Sequence, residues 1–403
     1  MISLQDIEQA RERIGEVVKQ TPCLPSRTFS DELGVQACFK YETLQHSGSF
    51  KVRGAFNKIS SLSRCEVERG VITASAGNHA QGVAFSASQA GVAATIVMPK
   101  TTPLIKVHNT ERLGGRVVLA GEIFDEACAE ARQLEAEQGM VFVHPFDDEQ
   151  VIAGQATIGL EILEQAPDTE VLIVPIGGGG LIAGIAMVIK ERKPSVRIYG
   201  VQTEAAPAMV ESLRADRLVT CPVARSVAEG IAVQRPGELT FEYVRRYVDG
   251  VAMVSEEELR AAIIRLLETG KTVAEGAAAA TFAAVACDRI PDVAGRHVLM
   301  LLSGGNIDIS LLARIIDRSL VESRRLVRFC THVPDRPGGL AELLQVIARY
   351  SGNVVRILHD RVFKHGGFWE AEIEVTLETR NEDHIDELHR GLTAGGYEVV
   401  RLD

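Results

Sequence analysis

The 403-residue chain has no long apolar run, no basic excess and no paired cysteines, and each absence removes a class of function. A membrane-spanning helix needs ~20 mostly apolar residues. Apolar runs such as 298–302 have only the length of a strand, so no membrane partner is expected. The 54 carboxylates outnumber the 43 Lys plus Arg and leave a formal charge of −11, with no basic cluster to interrupt the surplus. A nucleic-acid partner asks for the opposite balance. The seven cysteines, at 23, 38, 65, 128, 221, 287 and 330, form no Cys-x-x-Cys pair and no histidine cluster of zinc spacing. That pattern predicts reduced thiols and a cytoplasmic protein. The start, Met1-Ile2-Ser3-Leu4-Gln5-Asp6, has no apolar signal core.

What is present suits a soluble globular protein with ample core: 46% hydrophobic and 24% charged residues. The length predicts two or three domains. Ser3 and Asp6 read as a helix cap and its partner, with Ile7, Ala10, Ile14, Val17 and Val18 at helical spacing behind them. From about residue 70, short β-branched runs alternate with helical patterns. Strands are predicted at 71–73, 94–98, 116–119, 141–143, 171–175, 197–201 and 298–302, with helices such as 124–138 and 180–191 between them. Ser255 to Glu258 reads as another capping box, ahead of Leu259, Ala262, Ile263, Leu266 and Leu267 on one face. Such alternation predicts an α/β protein with parallel sheets covered on both faces.

The pattern changes near residue 320. A polar linker is expected at 321–325 and a separate unit at 326–403. There, strands at 326–331, 354–358, 371–377 and 397–402 and helices at 339–350 and 381–392 follow in the order βαββαβ, which is ferredoxin-like. A turn is expected at Lys364-His365-Gly366-Gly367.

Four segments carry candidate chemistry. Ser47-Gly48-Ser49-Phe50-Lys51-Val52-Arg53-Gly54 sets a lysine among small residues beside an aromatic ring. Burial penalises an ammonium, which makes the amine available near neutrality. Gly177-Gly178-Gly179-Gly180 lies at a strand-to-helix corner, where backbone N–H groups and the helix dipole can hold a phosphate. No Gly-Lys-Ser/Thr follows, and no Gly-x-Gly-x-x-Gly occurs there, so neither a P-loop nor a dinucleotide site is implied. Ser75-Ala76-Gly77-Asn78-His79 lies at a second such corner and could hold a substrate carboxylate. Ordinary capping by Ser75 or Asn78 accounts for the same pattern, and His79 reads as a packed histidine. Ser303-Gly304-Gly305-Asn306 ends the strand at 298–302. A hydroxyl there could meet a ring nitrogen, or could simply make a turn. A reactive lysine, a phosphate cup, an amide donor and a hydroxyl together describe a site for pyridoxal phosphate.

These motifs, in this order, resemble those of the fold-type II pyridoxal phosphate enzymes, and within them the threonine dehydratase (threonine ammonia-lyase) family. The likeness covers nearly all of residues 1–320. Asp335-Arg336-Pro337-Gly338-Gly339-Leu340 resembles the first loop of an ACT domain. The resemblance implies a catalytic domain over 1–320 with two open-sheet subdomains, the smaller at about 45–150. It implies an amino-acid-binding ACT domain over 326–403, and a homodimer or homotetramer. It makes Lys51 the Schiff-base lysine and places Phe50 beside the cofactor ring. It assigns Asn78 to the ring oxygen, Gly177, Gly178, Gly179, Gly180 and the Leu181 amide to the phosphate, and Ser303 to the ring nitrogen. Ser75, Ala76, Gly77, Asn78 and His79 would meet the substrate carboxylate. The implied reaction is α,β-elimination from L-threonine and L-serine, subject to an amino-acid effector. Serine or hydroxyaspartate dehydration on the same scaffold is the alternative, and an amino-acid sensor on a silent scaffold is the non-enzymatic one. Ala76 stands where racemases of this fold carry a second base, which implies weak racemisation. Glu204 matches one acidic cation ligand of related enzymes, but Val210 replaces another, so no metal is assigned. Glu229 and Glu275 lie in apolar neighbourhoods, either as site groups or as solvated carboxylates.

Overall fold

The computed structural model describes residues 1–362 and 367–402. The chain separates into two compact units, Met1–Asp308 and Ile309–Asp403.

The first unit holds two sheets. One is assembled from β1 (Cys23–Pro25), β2 (Gln36–Tyr41), β7 (Val171–Pro175), β8 (Arg197–Thr203), β9 (Gly250–Val254) and β10 (His297–Leu302), with β3 to β6 forming the other: Val71–Ala74, Ala94–Met98, Arg116–Leu119 and Val141–Phe142. The larger sheet has the order β1-β2-β10-β7-β8-β9 and the smaller β5-β4-β3-β6. Every pairing is parallel except β1 with β2. The smaller sheet's residues thus fall between β2 and β7 in sequence. β3, β4 and β7 are buried at every position. Parallel strands need cover on both faces, which is why they read as unbroken apolar runs. On one face of the larger sheet Leu172, Val174, Ile198, Leu299 and Leu301 pack with Ile158, Ile182, Ile185 and Met209 from helices. On the other Phe39 meets Phe282, which lies edge-on to Phe29 at 4.7 Å between ring centres. The capping boxes at Ser3/Asp6 and Ser255/Glu258 are both formed.

The helix Lys51–Ser60 is held from two sides. Gly54 packs against Gly154 of the helix Glu149–Gln165 so closely that a Cβ on Gly54 would lie 2.7 Å from the Val151 carbonyl. The Gly54 amide donates to Gln155 Oε1 at 3.2 Å. Beneath, Arg53 is buried and its guanidinium pairs with Glu42 at 2.8 Å and Glu161 at 2.6 Å. Buried Lys40 adds a third link, donating to Glu161, to the Thr21 carbonyl and to Gln165. Burial alone would raise the Glu42 carboxyl, yet Arg53's charge and hydrogen bonds hold it below its ordinary value. Burial likewise opposes the charge on Arg53, and the two carboxylates outweigh it.

The second unit has a four-stranded antiparallel sheet of β11 (Leu326–Pro334), β12 (Asn353–Asp360), β13 (Glu370–Glu378) and β14 (Val399–Arg401), in the order β12-β13-β11-β14. The helices Gly339–Arg349 and Glu382–Ala394 complete βαββαβ, with Leu343, Ile347, Ile385 and Leu388 packed on Phe329, Ile373 and Val375. The fold is ferredoxin-like. Of the expected turn, Lys364, His365 and Gly366 lie outside the described residues. The helix Ile309–Glu322 belongs to this unit and runs into the segment expected as a linker, so the division falls earlier in the chain than residue 320.

Candidate active site

Lys51 is delivered by a bend that needs glycine. Gly48 has φ +72°, and a Cβ there would lie 2.6 Å from Asn306 Oδ1. The loop 47–50 is laced to the loop 303–306. Gly305 N donates to the Gly48 carbonyl at 2.9 Å, Phe50 N donates to the Ser303 carbonyl at 3.1 Å, and Ser49 bridges to Gly304. Two of the expected motifs therefore form one structure. The helix then starts at Lys51, whose Nζ donates to the Pro145 carbonyl at 2.7 Å and stands 5.1 Å from the Phe50 ring centre. Gly82 lets the helix Asn78–Ala90 pass directly over Lys51; a Cβ there would be 3.0 Å from Lys51 Cβ. Burial pushes the ammonium down to about 8, partly offset by the charge of Glu275.

Asn78 opens the next helix after β3, and its Nδ2 donates to both oxygens of Glu275, at 2.8 and 2.9 Å. Its Oδ1 accepts from Asn306 Nδ2 at 2.8 Å, and the same Nδ2 donates to the Ser47 carbonyl at 2.7 Å. Burial raises the Glu275 carboxyl to about 7, against the pull of the Asn78 hydrogen bond and the Lys51 charge. Glu275 thus belongs to the site. Glu229 is mostly exposed and pairs with Lys106 at 2.9 Å.

The four glycines follow β7 and open the helix Gly180–Arg192. A Cβ on Gly178 would overlap the Phe146 ring, one on Gly180 would lie 2.7 Å from the Phe146 carbonyl, and one on Gly177 3.0 Å from Ile231 Cα. Gly179 has φ +98°. No other residue type fits this corner, and the first N–H groups of the helix have no intrahelical acceptor. Thr240 Oγ1 braces the corner by donating to the Gly178 carbonyl at 2.6 Å. Leu181 and Ser303 are both buried.

Ser75 Oγ accepts from Gly77 N at 3.2 Å, a local turn bond. His79 is buried, donates Nε2–H to the Val143 carbonyl at 2.9 Å, and is pushed down to about 3 by burial and the nearby Lys51 charge. It is a packed, neutral histidine whose ring is occupied by that bond. His144 is also pushed down, to about 4, chiefly by burial; its Nδ1 accepts from Asp147 N at 2.8 Å. Among the described residues no three His, Cys, Asp or Glu are grouped as for a metal. Glu204 is exposed and Val210 buried. Among those residues, too, no helix is long and apolar enough to cross a membrane.

Phe146, Pro145 and Thr240 carry no motif of their own, and Asn306 stood in a motif without a role. Of the two acidic residues in apolar neighbourhoods, Glu275 is a buried site group and Glu229 a mostly exposed carboxylate.

The donor set fits pyridoxal phosphate. A lysine of depressed proton affinity, a glycine corner that side chains would fill, and a fixed amide converge within one unit. The Ser47 and Ser49 hydroxyls of the lysine loop are buried with no hydrogen-bond partner among the described residues.

Residues 14–304 match the family model described as "Pyridoxal-phosphate dependent enzyme". The L-threonine ammonia-lyase of Thermotoga maritima is 50% identical over 399 residues, covering 99% of both chains. The solved structure of the processed threonine deaminase isoform 2 from Solanum lycopersicum superposes with TM-score 0.75 at 40% identity, covering 78% of this chain and 91% of its own. Maize serine racemase superposes equally, TM-score 0.75 at 32% identity, covering 80% and 99%. The lysine, the glycine corner and these likenesses agree: the chain belongs to the pyridoxal-phosphate dependent enzymes of fold type II.

Proposed function

We propose that the chain converts L-threonine to 2-oxobutanoate and ammonia by α,β-elimination, with L-serine as a second substrate giving pyruvate. The observation that carries this reading is Lys51, an amine brought close to neutrality beside a corner that admits only glycine. The end-to-end likeness to an L-threonine ammonia-lyase supports the choice of substrate.

When bound, pyridoxal phosphate supplies the electron sink that makes the substrate Cα–H acidic. The N–H groups of Gly177 to Gly180 and of Leu181 would hold its phosphate, aided by the helix dipole. Phe50 would lie beside the ring, Asn78 at the ring oxygen and the Ser303 hydroxyl at the ring nitrogen. The backbone from Ser75 to His79 receives the substrate carboxylate at a helix N-terminus. Neutral Lys51 Nζ takes the Cα proton; a buried amine with depressed proton affinity is suited to that near pH 7. A serine there, unlike a carboxylate, would not hold the ring nitrogen protonated, which would favour prompt loss of the β-hydroxyl. Ala76 offers no second proton donor, so elimination outruns racemisation.

Residues 326–403 are read as an ACT domain that binds an amino acid such as isoleucine or valine and changes activity. The whole is read as a cytoplasmic homodimer or homotetramer.

The test is 2-oxoacid release by the cofactor-loaded full chain from L-threonine, L-serine and 3-hydroxyaspartate. L-Threonine should give the highest kcat/KM; a higher value for 3-hydroxyaspartate, or no release at all, overturns the reading. The likeness to a serine racemase favours one second reading, measured as D-serine formed from L-serine. The tail assignment fails if no amino acid shifts either the melting temperature or the rate.

A further inference from the structure

The carboxylate of Glu275 has no part in the scheme above, yet it touches the centre of the site. Glu275 occupies the N-cap position of the helix Gly276–Ala286 without a side-chain capping bond, and its backbone N donates to the Gly304 carbonyl at 3.0 Å. A Cβ on Gly304 would lie 2.7 Å from Glu275 Oε1, so the side chain lies against the 303–306 loop. Both its oxygens receive Asn78 Nδ2. An ionised carboxylate can only accept, and this fixes which way the Asn78 amide points. The far end is fixed as well. Asn78 Oδ1 faces Asn306 Nδ2, and Asn306 Nδ2 is itself oriented by the Ser47 carbonyl. The result is a directed chain from Ser47 through Asn306 and Asn78 to Glu275. It joins four segments, with 197 positions between Asn78 and Glu275 and 259 between Ser47 and Asn306. Such a chain allows the Asn78 amide one orientation, because a flip would set Nδ2 against Asn306 Nδ2 and Oδ1 against the carboxylate.

We propose that Glu275 is a positioning residue: with Asn306 it locks the Asn78 carboxamide for the cofactor, and its own charge sets the proton equilibrium of the bound cofactor. The charged groups that face it are Lys51 on the helix Lys51–Ser60, Lys106 on the helix Leu104–Arg112, and Glu229. Burial disfavours the carboxylate, as does Glu229, while the Asn78 hydrogen bond, Lys51 and Lys106 favour it, and the balance places its titration near neutrality. A carboxylate that gains or loses charge in that range changes the field at everything its partner amide touches.

The inference rests on the cofactor assignment and on Asn78 meeting the cofactor, and is independent of which amino acid is consumed. Its test uses no substrate. The full-length holoenzyme and three variants are titrated with pH while the cofactor absorbance is followed, and cofactor affinity is measured on each. Glu275→Gln keeps an acceptor for Asn78 but cannot ionise. It should bind cofactor within about threefold of wild type while its absorbance midpoint moves by about one pH unit. Glu275→Ala frees the amide and should weaken cofactor binding by about tenfold. Asn306→Ala removes the other anchor without altering charge, and should weaken binding while leaving the midpoint in place. A Glu275→Gln titration that superimposes on wild type overturns the proposal, as does wild-type affinity in Asn306→Ala. No cofactor absorbance in wild type would instead defeat the site assignment itself.

Discussion

Two residues apart on one helix, Lys51 and Arg53 carry positive charge into the interior on opposite terms. Arg53 meets two carboxylates in short contacts, with Lys40 on the far side of one of them. Every charge there has a partner, and the ionised forms win over burial. Lys51 meets a carbonyl and an aromatic face, and feels the charge of one carboxylate that another side chain already holds. There burial wins, lowering the amine and raising Glu275. Complete pairing makes a charge structural, and incomplete pairing makes it reactive. The second arrangement works against folding, because both shifts measure ionised forms that the folded state disfavours.

The sharpest way to break this comparison is Lys51→Met. Activity should fall on the order of 10⁴-fold or more, while the cofactor-free protein should melt no lower than wild type. A lower melting temperature would mean that Lys51 stabilises the fold. Arg53→Met should do the reverse. It leaves Glu42 buried and unpaired, at a cost of about 3–5 kcal/mol in urea unfolding. A loss below about 1 kcal/mol would mean that the network is not needed to hold the helix.

Gly178→Ala probes the partner of the lysine, the phosphate corner. The added methyl group meets the Phe146 ring. It should destabilise by about 1–3 kcal/mol and weaken cofactor binding; wild-type affinity would count against the corner as the phosphate site.

The smallest effect is a difference of slope. Glu275 has a folded value near 7 against an ordinary 4.5. Its contribution to stability is therefore intact below 4.5 and is lost as pH rises through about 7. Glu42 is shifted downward, so its contribution is present above 4.5 and is lost as the medium becomes more acidic. Cofactor-free Glu275→Gln should accordingly lose less stability than wild type between pH 5 and 8, with at most about 1.4 kcal/mol per pH unit at stake for one group. Identical pH–stability curves would refute the raised Glu275.

Much of the architecture was legible because buried parallel strands announce themselves as apolar runs. β3, β4, β7, β8 and β10 were read in this way. β2 was not, because Gln36-Ala37-Cys38-Phe39-Lys40-Tyr41 places a lysine in the core, and the Thr21 carbonyl together with Glu161 and Gln165 far along the chain makes that tolerable. β1 is three residues long and half exposed, and β9 is an edge strand without full burial. Within the site, Lys51 and the four glycines were readable because their chemistry is local: a corner, a helix start, a cluster of small residues. The Glu275–Asn78–Asn306 chain was not, since each link is a side-chain hydrogen bond between segments remote in sequence, and no periodicity records it.

The lacing of residues 47–50 to residues 303–306 also has a consequence for synthesis. The lysine loop leaves the ribosome early, but the Asn306 side chain that anchors it arrives 259 positions later, and β2 waits for β10 in the same way. Contacts this distant in sequence form late in folding. A nascent or truncated chain ending before Ser303 would carry Lys51 on an unshaped loop, so tight cofactor capture becomes a mark that the first unit has been made to its end.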